Sequence, residues 1–292
     1  MLNSNAWKRH EPRAHFPIFS NMENHIDITL QEPLPVSIRK MGAPIYHWLK
    51  KRKGIVETLR DYRLLLANPP YKFRGIFVDR NGKMLAEGEL PGHYKAGDYF
   101  VCNVNEWLKN QGKSMVDGTF ILIANHGRPD LFNSSPGNVS LRVIGKETIA
   151  GYRTGFFCRP LNDGKKHYGF TGLNPQIEVN HQAIASLIFI NHSSNPSYDQ
   201  VANPTVRLYR NHTDYIEASF GEIPAHSAKE RTILEIFPNA ADFLSESNQL
   251  GFSVTSLKGA SLASLHVLRR PDAELLSIEH SRPAYPNIVK YF

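Results

Sequence analysis

The strongest constraint on the fold is that the chain repeats itself. Gly88-Glu89-Leu90-Pro91-Gly92-His93 returns 133 positions later as Gly221-Glu222-Ile223-Pro224-Ala225-His226. Around this match the same succession occurs twice. An apolar run ending at or next to Asn (62–68 and 186–192) is followed by a hairpin (74–87 and 206–217). An alternating strand running into a short helical turn (99–108 and 231–244), a further strand (119–124 and 251–255) and a last hairpin (140–160 and 264–283) complete each copy. The offset is 124 at the first segment, 133 at the motif and 123–124 at the last hairpin, so length changes fall in loops. Asn81-Gly82 in the first hairpin is a type I′ turn signal, because both central residues of that turn need positive φ.

Each copy holds about 100 residues. Its short β-type runs have the spacing of antiparallel sandwiches, with no alternation of strand and helix. The predicted fold is mainly β: two tandem duplicated antiparallel β-sandwich domains preceded by an N-terminal arm and a short helix. The boundaries read as arm and helix 1–60, first sandwich 61–160, linker or junction strand 161–184 and second sandwich 185–292. Within the arm, His25-Ile-Asp-Ile-Thr-Leu30 alternates and is able to add as a strand. Apolar residues at 45, 48, 49, 55, 59 and 64 predict one helix over 43–65. Trp107-Leu108 and Phe243-Leu244 are expected to plug one end of each sandwich. Composition agrees with a packed fold, since 41% of the 292 residues are hydrophobic, which excludes disordered and fibrous classes.

The formal charge of +7 points to anionic partners until it is located along the chain. Residues 1–61 hold ten Lys/Arg against six Asp/Glu. Lys50-Lys51-Arg52-Lys53 reads as the solvated basic end of the helix, where the helix dipole favours cations, so nucleic acid is not the expected partner. No run reaches the roughly 20 apolar residues of a membrane span, and the first ten residues lack a signal-peptide core. Cys102 and Cys158 form no Cys-x-x-Cys motif and read as small buried hydrophobes. The sequons at Asn133, Asn138, Asn191 and Asn211 read as turn chemistry in a soluble, cytoplasmic chain.

The second copy carries 187–191, Ile223-Pro224-Ala225, Phe243-Leu244, His266-Val-Leu-Arg269, Ala273-Glu274-Leu275-Leu276-Ser277 and Ala284-Tyr285-Pro286. In these, from about 185 to 286, it resembles the sensory rhodopsin transducer family, small β-sandwich proteins without an enzymatic site, some of which bind a membrane photoreceptor. The resemblance covers about a third of the chain and reaches the first copy only through the duplication. It implies a sandwich fold and a binding role, and no functional residue carries over.

Thirteen His make metal ligation and acid-base catalysis the chemistries to test. His93 and His226 each follow Pro by two positions in the matched motifs, and Asn125-His126 and Asn191-His192 close strands. With Glu89 and Glu222 as oxygen donors, the candidate ligand-binding set is Glu89, His93, His126, His192, Glu222 and His226. No His-x-x-x-His, His-x-His, nucleophile elbow, P-loop or Gly-x-Gly-x-x-Gly occurs. Tyr94, Tyr99, Tyr198, Tyr209 and Tyr215 are candidates for stacking a sugar ring, while apolar neighbours also fit them to core packing.

The expected function is therefore that of a noncatalytic binding or scaffold protein, without a cofactor, which recognises a glycan or a protein partner at the cleft between the repeats. The alternative is a metal-dependent enzyme whose His and Glu residues hold a divalent metal at the junction and act on a sugar-derived substrate. Exposed sheet edges allow a homodimer.

Overall fold

The structure, a computed structural model, describes residues 11–30, 71–95, 97–125, 137–155, 169–193, 195–258 and 262–283. The helix expected over 43–65, the basic quartet, the run 62–68, His126 and Cys158 lie outside the described residues.

The first half contains β1 (Arg13–Ile18), β2 (Glu23–Leu30), β3 (Lys72–Asp79), β4 (Met84–Glu89) and β5 (Tyr99–Asn103). Helix α1 (Val104–Asn110) and strands β6 (Gly118–Asn125), β7 (Gly137–Ile144) and β8 (Ile149–Gly155) follow. The second half contains β9 (Gly169–Glu178), β10 (Ile184–Asn191), β11 (Thr205–Tyr209), β12 (Tyr215–Ser219) and β13 (Ala228–Thr232). Next come α2 (Ile233–Ile236), α3 (Ala240–Phe243), β14 (Leu250–Lys258), β15 (Leu262–Arg269), β16 (Leu275–His280) and the short β17 (Arg282–Pro283).

The first half forms antiparallel sheets of order β1-β6-β3-β4 and β5-β2-β7-β8, and the second β12-β11-β14-β9-β17 and β13-β10-β15-β16. Substituting β9 for β1, β10 for β2, and so on to β16 for β8, converts the first pair of orders into the second, apart from β17, which adds outside β9. The mainly β fold and its repetition are therefore present as expected. Trp107 and Leu108 are buried in the first core and Leu244 in the second.

The unit boundaries move toward the N-terminus. β1 and β2, within the stretch read as an arm, pair along β6 and along β5 and β7. β9, within the stretch read as a junction, pairs along the length of β14. β1 is buried at every position even though Arg13, Ala14, His15 and Phe16 alternate polar with apolar, and it contains Pro17, tolerated because β1 is a sheet edge. β9 carries Gly169, Gly172 and Pro175, which read as turn residues.

Helix caps fix the register between the copies. Asn103 caps α1 and Thr232 caps α2, their side chains accepting from the backbone N–H of Glu106 and Glu235 respectively. Strand pairing outward from these caps equates Asp27 with Ile188, Ser140 with Leu265 and Arg142 with Val267. The sequence offset of 124 is thus one residue out at β7 and β15, and one residue in a strand exchanges the two faces. In the first unit this outer face is polar: Asp27 Oδ1 accepts from Arg142 Nη2 and from the Tyr99 hydroxyl, both at 2.9 Å. In the second unit Ile188, Leu265 and Val267 are buried there, in one cluster with Phe16 and Tyr152 of the first unit.

The outer face of β13-β10-β15-β16 accordingly covers the side of the first sandwich where β1 and β8 lie. Tyr152 meets the edge of His280 at 5.0 Å between centroids. Arg269 donates twice to Glu230, at 2.6 and 2.7 Å, with its guanidinium over Phe19. Arg270 reaches Glu147 at 2.7 Å at the rim.

Gly82 adds a contact from the β3–β4 turn. Its φ is +78°, and a Cβ there would stand 2.9 Å from Pro224 Cβ of the second unit. Gly82→Ala is expected to cost about 1–2 kcal/mol from the left-handed backbone alone, and more from the crowding. Urea denaturation checks this, and an unchanged midpoint would show that the turn does not bear on the second unit.

Candidate binding site

The six residues selected from sequence part company in the fold. Glu89, His93 and Glu222 are exposed, His126 lies outside the described residues, and His192 and His226 are buried. The reason His93 and His226 differ is a shift within the matched loops. Backbone pairing equates Leu90 with Phe220 and Tyr94 with Ile223, so the two six-residue motifs occupy the same loop but not the same places in it.

His192 and His226 meet a third histidine that the sequence did not single out, His15 on β1. The His15 ring lies 5.1 Å from His192 and 6.4 Å from His226, centroid to centroid. His226 takes a left-handed backbone, φ 59°, and its Nε2 lies 3.1 Å from the carbonyl oxygen of Asn195. Arg13 is fully buried beside them, its Nη1 donating to the Glu11 carbonyl at 3.3 Å. Burial, then the charges of His192, Arg13 and His226, hold the His15 pKa well below its ordinary value. Burial, then Arg13 and His226, bring His192 down to about 3.

Both rings are therefore neutral packing elements of the inter-unit surface. Among the described residues no group of three or more His, Cys, Asp and Glu is arranged to hold a metal ion. The space between the units lined by Ile18, Arg80, Ile188 and Glu230 amounts to about 10 Å³, room for a single water. That part of the expected cleft is filled.

A larger cavity opens in the first sandwich between the β4–β5 loop, β5 and α1. Its volume is about 170 Å³, and Tyr94, Phe100 and Trp107 wall it. Tyr94 and Phe100 stack with centroids 3.7 Å apart and planes 9° from parallel, and the Tyr94 hydroxyl is anchored by donating to the Pro91 carbonyl at 2.7 Å. Trp107 is held edge-on against Phe120 at 5.1 Å. Cys102 forms part of the wall, and burial pushes its thiol up to about 12, so it acts there as an apolar group.

Asn103, Glu106 and Asn110 supply the polar side. Asn103 Oδ1 is used as the helix cap, which leaves its Nδ2 as a donor. Among the described residues, that Nδ2, the Glu106 carboxylate and the Asn110 amide have no hydrogen-bond partner in the chain. Of the sugar-stacking candidates, Tyr94 is the one that lines this cavity. Phe100, Trp107 and the polar trio carried no sequence signal beyond strand and helix patterning.

No helix among the described residues is long and apolar enough to cross a membrane. No family model matches the chain, and no curated protein does. Among solved structures, two of Bacteroides uniformis beta-glucuronidase align over 96% of this chain at 10% identity with a TM-score of 0.17, one of them covalently bound to cyclophellitol-6-carboxylate aziridine. The chain spans 28% of the length of those proteins, and a likeness at that score carries no argument about this one.

Proposed function

We propose that the protein is a noncatalytic binding protein that recognises a glycan at this cavity of its first sandwich. The observation that carries this reading is the cavity of about 170 Å³, with an aromatic wall on one side and unpartnered polar side chains on the other. Sugar rings present an apolar C–H face and a rim of hydroxyls, and a site of this composition meets both. The second sandwich serves as the support on which the first is docked, through the apolar face of β10 and β15.

The position differs from the cleft between the repeats. The metal-dependent alternative loses its motivation, because Glu89, His93 and Glu222 are exposed while His192 and His226 are packed in the inter-unit surface.

A glycan array probed with the full chain tests the reading. Wild type is expected to bind a subset of glycans, and Cys102→Met, which extends an apolar side chain into the cavity, is expected to lose that binding while keeping its melting temperature. An array on which folded wild type binds nothing would overturn it.

A further inference from the structure

The internal duplication supplies a built-in control for the cavity, since each of its walls has a counterpart in the second unit. Register places Arg231 where the first unit has Cys102, Lys229 where it has Phe100, Phe220 where it has Leu90, and Glu235 where it has Glu106. In the second unit Arg231 spans that volume. Its Nη1 donates to the Phe220 carbonyl at 2.8 Å and its Nη2 to the Glu235 carbonyl. Lys229 Nζ reaches the Glu222 carbonyl at 3.2 Å. The Glu235 carboxylate is occupied as well, accepting from the Thr232 backbone N–H at 2.6 Å in a capping box.

The first unit has the same fold at this position without the plug. A short thiol replaces the guanidinium, a stacked aromatic replaces the lysine, and Asn103 caps α1 without engaging the carboxylate three residues on. Glu106 is thereby left as a free acceptor beside the donor Nδ2 of Asn103, with the amide of Asn110 able to do either. Glu106 is the one charged residue among those lining the cavity.

We infer that the first unit's cavity is a subsite for a single neutral pyranose ring, its C–H face against Phe100 and Trp107 and its hydroxyls bonded to Asn103, Glu106 and Asn110. This rests on the reading of the protein as a glycan binder and adds the ring size, the contacts and the charge. The volume admits one ring, and a sugar bearing a carboxylate would set its charge against Glu106, so uronic acids are rejected.

Saturation-transfer NMR and calorimetry with methyl β-D-glucopyranoside, methyl β-D-galactopyranoside, methyl α-D-mannopyranoside and sodium glucuronate test this on the full chain, with cyclohexanol as an uncharged ring lacking the hydroxyl rim. At least one neutral pyranoside is expected to bind and glucuronate to bind at least tenfold more weakly. Cys102→Met and Phe100→Ala are each expected to weaken the sugar at least tenfold, and Glu106→Gln to narrow the gap between neutral sugar and glucuronate. Thermal melts confirm that each variant is folded.

Binding of cyclohexanol that Cys102→Met removes, with no pyranoside bound, would overturn the sugar assignment and keep the cavity as a binding site. Glycans bound on an array while none of these single sugars binds would overturn the single-ring subsite and leave the glycan reading standing. Sugar binding that survives both Cys102→Met and Phe100→Ala places the site elsewhere and overturns the inference.

Discussion

Leu265→Asp is expected to remove about 3–5 kcal/mol of stability, the cost of an uncompensated charge in a packed interior. Leu265→Ala is expected to remove about 2–5 kcal/mol. Leu265 is fully buried, yet it faces the first unit rather than the core of its own sandwich. The damage therefore falls on the docking of the two units. Urea denaturation of wild type should show one transition, because residues of both units share one cluster. Leu265→Asp should show two, with the units unfolding separately. The matching substitution in the first unit, Ser140→Asp on the polar outer face of β7, should cost no more than about 1 kcal/mol, set by the like charge of Asp27 directly opposite it. A Leu265→Asp protein as stable as the Ser140→Asp protein would show that the buried face is not a docking surface.

Acidification is expected to destabilise the protein steeply below neutrality, through the same surface. His15 and His192 are neutral when folded, with pKa values below the ordinary histidine value, in the case of His192 at about 3. The unfolded chain takes up their protons near pH 6.5, and the native state does so only at lower pH. The contribution of each ring is thus fully present above about pH 6.5 and is lost as pH falls, at about 1.4 kcal/mol per pH unit per histidine. For His192 the loss runs from about pH 6.5 to about 3. Arg13, His226, Tyr198 and the neighbouring Glu11 are the other titratable or charged groups around the cluster. Of these, Arg13 opposes the uptake of a second positive charge beside it. Unfolding free energies measured from pH 7.5 to 4 should show this slope, and His15→Leu with His192→Leu should flatten it by nearly 3 kcal/mol per unit. His266 and His280, also lowered by burial, leave a residual slope. A double variant with the wild-type slope would take the pH dependence away from this cluster.

Much of the fold was legible because turn residues and alternation repeat along the chain, as in the hairpin at Asn81-Gly82, although of these two only Gly82 takes positive φ, so the turn is not the expected type I′. β1 was not legible because its short alternation, Arg13-Ala14-His15-Phe16, reads as a half-exposed surface stretch broken by Pro17, whereas Arg13 and His15 are in fact buried. The docking face was hidden by a single position. Setting Ser264 opposite Ser140 is the natural sequence match, but it sends Leu265 and Val267 into the wrong interior, and only the helix caps reveal the true register. The candidate site was hidden for a related reason. Matching His93 with His226 follows the repeated motif, whereas the backbone matches Tyr94 with Ile223. Tyr94 stood among the aromatic candidates on chemistry alone, and the cavity beside it depends on what is small, Cys102, rather than on what is reactive.

Arg231 has a consequence for the valency of the proposed binding. Two copies of one fold would ordinarily offer two equivalent sites and, on a surface dense with ligand, the gain that comes from engaging both at once. On the glycan reading proposed above, with the second copy occupied by its own arginine, a chain would engage through one ring-sized site, and binding should saturate at one sugar per chain. Retention on a multivalent surface would then have to come from assembling several chains, so the strength of attachment would follow protein concentration more steeply than the affinity of the site itself.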